Sequence, residues 1–282
     1  MQPTSHPTVI LGGGFVGLFT ALHLSHQRYS HPIILIDQSD RFSFKPLLYE
    51  LLSGELHSHQ VYPRYQEILS GTQVEFVQDK VRSIDLHQQW VATASGQKFN
   101  YHNLVLALGS KTNFFDTPGA MQYAMPLTSG AEAIALRKHL RYCLHLALQA
   151  TDPERRRVLL TFAVLGAGPA GIELACTLGD LLPIWYSDLG GDPDEIEIVL
   201  VNRSDDILKG DINSHLRCTV QRSLKSRAIP VTLLFNAAVQ AVQPDGVEYR
   251  KHDMPHFLKA GTIVWTAGTA PNPLLMDLPI SP

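Results

Sequence analysis

The sequence predicts an α/β fold made of two doubly wound units, each shaped to hold a dinucleotide. Three observations predict it. The first is a pair of glycine fingerprints, Gly12-x-Gly14-x-x-Gly17 in VILGGGFVGLFTALHLS and Gly166-x-Gly168-x-x-Gly171 in FAVLGAGPAGIELACTLG, 154 residues apart. The second is that each is preceded by a short apolar run and followed by apolar residues at helical spacing. The third is that the likeness continues at the same offset. Leu11 matches Leu165, Ala21 matches Ala175 and Leu24 matches Leu178, and each unit ends in a small turn, Ala107-Leu108-Gly109 and Thr266-Ala267-Gly268. One such fingerprint arises by chance, whereas two in this context form an internal repeat of Rossmann-like units.

The elements follow in order. Residues 8–11 form an apolar strand, 15–25 carry a helical period, and Ile33–Ile36 form a second strand ending at Asp37, which together make a β-α-β unit. The segment RFSFKPLLYELLSGEL (41–56) turns helical from Leu47 to Leu52 and stops at Gly54. Val74–Val77, Trp90–Thr93 and Leu104–Leu108 read as strands, and Pro118-Gly119 and Pro126 mark the exit from the first unit. Ser129–Leu148 reads as a helix. Val158–Leu165 reads as the next strand, with Arg155-Arg156-Arg157 as its solvated start. The helix after the second fingerprint is expected over Gly171–Leu182, followed by a loop from Pro183 to Pro193. Ile196–Val201, Val231–Phe235 and Ile263–Thr266 are expected strands, and Asn213–Arg227 a helix. The expected domains are 1–125 and 126–271, with 272–282 beginning a return to the first.

Composition narrows the function classes. The chain has 282 residues, is 45% hydrophobic and 17% charged, and carries a net charge of −3, which fits a soluble globular protein and gives no basic footprint for nucleic acid. Cys143, Cys176 and Cys218 form no C-x-x-C pair and no disulfide framework, so a reducing, cytoplasmic setting is the expectation. The N-terminus has no apolar signal segment. Residues 158–178 are apolar enough to suggest a membrane span, but Pro169, Glu173 and three glycines fit strand, turn and helix better. His23/His26, His57/His59 and His252/His256 have metal-compatible spacing but no cysteine or carboxylate cluster beside them, so no metal is expected. Without a nucleophile elbow or a Cys–His signature, any chemistry belongs to cofactors.

At the first loop, a pyrophosphate must approach backbone N–H groups at a helix N-terminus, where the helix dipole favours negative charge. Side chains at Gly12 and Gly14 would block it, and Gly17 lets helix and strand pack. Phe15 and Val16 lie in the same loop and count with the glycines as cofactor contacts. Asp37, 20 residues after Gly17, is placed to accept from ribose hydroxyls. Lys45 either donates to a flavin oxygen or lies along the surface with its head in water.

Gly166, Gly168 and Gly171, with Pro169 and Ala170 between them, repeat the logic. The following strand runs into Asn202-Arg203 instead of an acid, which favours NADPH over NADH, although Arg203 pointing to solvent would leave a site that accepts both. Glu173 is expected in the first helical turn, either as an acid complementing the dipole or as a residue facing the nicotinamide.

These residues give the chain a likeness to a known family. It resembles the type II NAD(P)H dehydrogenases (NAD(P)H:quinone oxidoreductases), in their cyanobacterial and plastid branch. The stretches that carry the likeness are VILGGGFVGLFTALHLS, IDQSDRFSFKPLLYELLSGEL, LVLALGS, FAVLGAGPAGIELACTLGDLL and TIVWTAGTAPNP, which span almost the whole chain. The F-x-P-L-L-Y-E block is the most specific, and the absence of a redox cysteine pair separates the chain from disulfide reductases of similar fold. The resemblance implies FAD at Gly12, Gly14, Gly17 and Asp37, with Val81 beside the adenine and Ala107–Gly109 closing on the flavin nucleotide. It implies NADPH or NADH at Gly166, Gly168, Gly171, Asn202 and Arg203, with Ala267 and Gly268 as the matching turn, and a functional role for Glu173. It also implies a quinone acceptor, the cytoplasmic side of a membrane surface, and an arrangement compatible with a homodimer. Family members continue into a Gly-Asp flavin motif, a quinone-site helix and amphipathic anchoring helices, so the FAD unit is expected to be incomplete within these residues and activity of this stretch alone is left open. The alternatives are a non-catalytic nucleotide-binding or redox-sensing protein, and a reductase that passes electrons to a protein acceptor.

Overall fold

A computed structural model describes residues 6–209, 213–276 and 278–279, and in it the chain divides into two units. The first comprises Met1–Lys45, Leu56–Lys111 and Thr269–Pro282. Strand β1 (Thr8–Leu11) is buried at all four positions, as a central strand covered on both faces must be. It leads into α1 (Phe15–His26), which turns Gly17, Leu18 and Ala21 inward, and β2 (Ile33–Asp37) returns parallel to β1. The next helix, α2 (Leu48–Ser53), belongs to the second unit. The first unit continues with β3 (Val74–Gln78), an antiparallel trio β4 (Val81–Asp85), β5 (Trp90–Thr93) and β6 (Lys98–Asn100), and β7 (Asn103–Leu106). The parallel sheet runs β3-β2-β1-β7. Alternate residues of β1 feed opposite cores: Ile10 joins Leu18, Leu35 and Tyr65, while Val9 and Leu11 join Ile34, Ile36 and Val81.

The second unit comprises Pro46–Glu55 and Thr112–Gly268. It repeats the first strand for strand. Thr161–Leu165 corresponds to β1, Glu197–Val201 to β2, Thr232–Leu234 to β3 and Thr262–Trp265 to β7, in the same parallel order, with Met125–Pro126 added at the edge. Ala238–Gln243, Gly246–Lys251 and Met254–Lys259 form the matching antiparallel trio. The main core gathers Phe162, Leu174, Leu178 and Tyr186 with Leu52 of α2 and Leu136, Leu140 and Leu144 of the helix Gly130–Gln149.

Several expectations are corrected. The first-unit segment ends at Lys111 instead of 125, because Met125–Pro126 pairs with Thr262–Trp265. Residues 46–55, read as part of the FAD unit, pack into the second unit through Leu52. Val158–Leu160 and the arginine triplet are helical: Pro153–Leu160 starts at Pro153, and the Asp152 carboxylate caps it by accepting from the Glu154 and Arg155 N–H groups. The helix after the second fingerprint runs over Pro169–Asp188 and passes straight through Pro183. A mid-helix proline strands the carbonyl four residues back. Here that carbonyl is Gly179 O, and it accepts the N–H of Ile229 at 2.9 Å instead. Gly179 itself makes this approach feasible, since a Cβ there would sit 2.9 Å from Ile229 O. Among the described residues, no helix is long and apolar enough to cross a membrane.

Candidate functional site

In the first unit, backbone demands account for two of the three fingerprint glycines. Gly12 has φ +96°, and a Cβ on it would lie 2.3 Å from the Ala107 carbonyl oxygen; one on Gly17 would lie 1.8 Å from Gly12 O. Gly14 is different: it has ordinary φ −64°, and a Cβ would meet nothing within 4 Å. Nothing inside the unit requires glycine there, which is what a backbone left bare for an external group looks like. Gly14 is also the N-cap of α1, with no capping side chain and no acid in the first turn, so the helix N-terminus is free to face an anion. The residue between, Gly13, is held at both ends. Its N–H donates to Asp37 Oδ2 at 2.6 Å, and its carbonyl accepts from the buried Tyr65 hydroxyl at 2.6 Å. Burial and the Asp37 charge push the Tyr65 phenol well above its ordinary value, so it stays a donor.

A cavity of about 480 Å³ opens beside this loop, and Gly12, Asp37 and Val81 line it together. Lys80, Arg82 and Lys111 stand around them, and Asn272, Pro273 and Leu274 close one wall. Ala107 abuts Gly12, and Gly109 takes the left-handed conformation (φ +64°). Phe15 and Val16 are largely exposed on the first turn of α1, and Lys45 is exposed at the start of a short 3₁₀ turn; none of the three lines the cavity. Sequence reasoning missed the cations and Asn272, whose only signal was its place in TIVWTAGTAPNP, one of the stretches that carry the family likeness.

The second unit repeats the geometry with altered chemistry. A Cβ on Gly171 would lie 1.9 Å from Gly166 O, Gly166 has φ +114°, and Gly168, the N-cap of Pro169–Asp188, again has open space around it. By register, Leu11 pairs with Ile36 and Leu165 with Val201, so Asn202 stands where Asp37 stands. The Asn202 side-chain oxygen accepts from Ala167 N–H at 3.4 Å, and its amide donates to Asp206 O at 2.7 Å. A pocket of about 370 Å³ brings together Gly166, Gly168, Asn202, Arg203, Ala267 and Gly268. Phe115, Thr117 and Trp265, which the sequence did not single out, share its walls. Pro169, Ala170 and Gly171 continue into the helix outside the pocket lining.

Glu173 is exposed, and its helix starts at Pro169, so it lies beyond the first turn and cannot serve as the expected dipole-complementing acid. The Tyr49 side chain of α2 lies near it. The phenol donates to Ala170 O at 3.2 Å, and burial, then the Glu173 charge, push it above its ordinary value.

Comparison with known proteins places this geometry. The profile of the family described as pyridine nucleotide-disulphide oxidoreductase matches residues 6–280. The demethylphylloquinone reductase NdbB of Synechocystis sp. is 31% identical over 277 residues, covering 95% of this chain and 63% of that protein. The alternative NAD(P)H-ubiquinone oxidoreductase C1 of Arabidopsis thaliana is 31% identical over 297 residues, covering 93% of this chain and 52% of that protein. The chain thus spans less than two thirds of these relatives. The structure of NDH2 from Plasmodium falciparum in complex with NADH superposes with a TM-score of 0.87 at 22% identity, covering 97% of this chain and 57% of that one, a likeness of fold.

Proposed function

This chain belongs to the pyridine nucleotide-disulphide oxidoreductase family, and from that premise we propose that it holds FAD on the first glycine loop and NAD(P)H on the second, as part of an NAD(P)H:quinone oxidoreductase. One observation carries the reading: both loops keep a glycine, Gly14 and Gly168, that the protein's own packing does not require. When bound, the nicotinamide supplies a hydride, and the flavin takes it up and delivers two electrons to a quinone. The residues here bind and orient. Gly12, Gly14 and the α1 N-terminus receive the FAD pyrophosphate, Asp37 fixes the loop and faces the ribose, and Lys80, Arg82 and Lys111 offset anionic charge in the cavity. Gly166, Gly168, Asn202 and Arg203, which line one pocket, do the same for NAD(P)H, and family likeness assigns Glu173, outside that lining, to the reacting end of the nicotinamide. Alignment of donor and acceptor is the main contribution such a site makes to rate. A quinone acceptor places the working protein at a membrane surface.

A second reading concerns the nicotinamide cofactor. Because a neutral amide stands at the Asp37 position, nothing there repels a 2′-phosphate, so the site accepts NADPH at least as well as NADH. The test is direct. The purified chain is reconstituted with FAD, and NADPH and NADH are added without oxygen. Loss of the flavin's visible absorbance is the expected result. Flavin that binds but stays oxidised with both donors overturns the hydride-transfer reading, and no flavin binding at all overturns the first-loop assignment.

A further inference from the structure

Within the second unit, Phe115 is a large apolar side chain left 60% exposed, and it lines the pocket that brings Gly166, Gly168, Asn202 and Arg203 together. Its backbone is left-handed, with φ +50°, and so is that of Asp116, with φ +52°. In an L-residue this conformation brings Cβ close to the following carbonyl oxygen, so a phenylalanine keeps it only where the surroundings impose it. They do so here. The Asn113 side-chain oxygen accepts from the Phe115 N–H at 2.8 Å, and the Thr117 N–H donates to Phe114 O at 2.9 Å. Asn113 O accepts in turn from the Trp265 indole N–H at 2.9 Å, and the Phe114 ring tilts against Trp265 with centroids 5.5 Å apart. Phe114 thus packs inward on the core while its neighbour is turned out into the pocket.

The Phe115 ring comes to rest over Gly268, where a Cβ would lie 2.4 Å from its Cζ. Gly109, the matching glycine of the first unit, shares the left-handed backbone (φ +64°), but a Cβ on it would meet nothing within 4 Å. The aromatic ring therefore belongs to the second turn and not to the first. At Phe115 the chain accepts a strained backbone and leaves most of an apolar ring in water. Strain of this kind collects where a ligand is gripped.

We propose that Phe115 is a binding residue for the nicotinamide–ribose half of the dinucleotide, its ring giving that half an apolar face to lie against. This rests on the reading of the second loop as the NAD(P)H site and adds the wall on which one end of the cofactor is seated. Sheet order says which end. Thr161–Leu165 runs into the fingerprint. Glu197–Val201, which leads to Asn202, lies on one side of it, and Thr262–Trp265, which leads to Gly268, on the other. A pyrophosphate at the fingerprint with its adenosine toward Asn202 extends its other nucleoside toward Gly268 and Phe115. A phenylalanine ring offers a flat apolar face to a planar ring or to the C–H side of a sugar, and nothing to a phosphate.

The test uses the purified full chain and the variants Phe115→Gly and Phe115→Tyr. Calorimetric titrations with NAD+ and with ADP, which lacks the nicotinamide and its ribose, are run beside urea denaturation. Neither ligand reduces a flavin, so binding is read without turnover. Phe115→Gly is expected to weaken NAD+ binding about tenfold, the effect of a lost aromatic contact, and ADP binding less than about twofold. Its urea midpoint is expected to hold or rise, because glycine takes φ +50° without strain. Phe115→Tyr keeps the ring and is expected to bind NAD+ within about twofold of the unaltered chain. Unchanged NAD+ affinity in Phe115→Gly overturns the ring's role, as does a tyrosine variant as weak as the glycine one. A loss shared equally by ADP puts the ring on the adenosine half or on the pocket as a whole, and overturns the proposal too. So does a urea midpoint that falls together with both affinities, which makes Phe115 a support for the loop. An unaltered chain that takes up neither NAD+ nor ADP is a different failure: it removes the second-loop assignment itself, and the proposal with it.

Discussion

In the first unit, the residue inside the glycine loop is gripped at both backbone atoms by side chains, Gly13 N–H by the Asp37 carboxylate and Gly13 O by the Tyr65 hydroxyl, each at 2.6 Å. In the second unit, the matching residue is Ala167. Its carbonyl is held by backbone, accepting from Leu208 N–H at 3.0 Å, and its N–H meets the neutral Asn202 amide at 3.4 Å. The loops have the same shape, but one is braced with a charge and the other is not. A charge-assisted brace is shorter and stronger, and it leaves a negative charge where the ribose would lie. A neutral brace is looser and tolerates an anionic ligand. On the function proposed above, the geometry of each loop is set by glycine, and the residue at the end of the second strand sets which dinucleotide the loop favours.

The comparison can be broken at several levels. Gly17→Ala and Gly171→Ala test the shared geometry and carry the largest effect. Each new Cβ would fall under 2 Å from a loop carbonyl, Gly12 O at 1.8 Å and Gly166 O at 1.9 Å. Each is expected to destabilise its unit by about 3 kcal/mol or more in urea denaturation. A loss confined to one unit would mean that the two loops are not equivalent. Gly14→Ala and Gly168→Ala test the open glycines. Folding is expected to change by less than about 0.5 kcal/mol, since neither Cβ meets protein, while FAD retention falls in the first and NAD(P)H affinity in the second, each by tenfold or more, on the order of 1.4 kcal/mol. Equilibrium dialysis for FAD and fluorescence titration for NADPH read these separately, and a variant that loses the other unit's cofactor would reverse the assignment.

Tyr65→Phe removes a support that only the first loop has. It leaves the Gly13 carbonyl without its donor at a buried site, at an expected cost of about 1–3 kcal/mol seen in chemical denaturation. Asn202→Asp makes the second loop a chemical copy of the first. The ratio of NADPH to NADH affinity is expected to fall about tenfold, and an unchanged ratio would show that this position does not set the preference. The smallest effect lies at the rim of the first cavity, where hydrogen bonds from Ser95 and then Thr93 lower the Asp79 carboxyl to about 2. A carboxyl lowered in the folded state contributes stability above its unfolded value, and that contribution is lost as the pH falls from about 4 through about 2. Ser95→Ala is expected to raise the Asp79 midpoint in an NMR titration and to narrow that window. An unmoved midpoint would remove Ser95 as the cause.

The parts of the fold that were legible in the sequence are those where the backbone itself makes a demand. Gly12, Gly17, Gly166 and Gly171 are required by contacts of 3 Å or less, and such requirements leave a spacing that a reader can find. The buried strands Thr8–Leu11, Ile33–Asp37 and Glu197–Val201 were legible because burial on both faces gives unbroken apolar runs. The antiparallel trio in the second unit was not, because Met254–Lys259 is mostly exposed and offers no period to detect. The continuation of Pro169–Asp188 through Pro183 was hidden because the relief comes from Ile229, 46 residues away. At the sites, the glycines, Asp37 and Asn202 were visible. Tyr49 was not, since its partner, the Ala170 carbonyl, lies 121 residues along the chain and its own neighbourhood reads as a short apolar helix.

The lending of α2 to the second unit has a consequence for how this protein can be taken apart. The second unit is discontinuous in the chain, made of Pro46–Glu55 and Thr112–Gly268, so no single cut releases it whole. A fragment starting at Thr112 would carry a groove where Leu52 belongs, with Leu136, Leu140 and Leu144 of its core uncovered on that side. Dissection into two expressible halves therefore requires grafting residues 46–55 onto the second, for example through a permuted chain. Any recombination between relatives that exchanges one unit must carry that ten-residue segment with it.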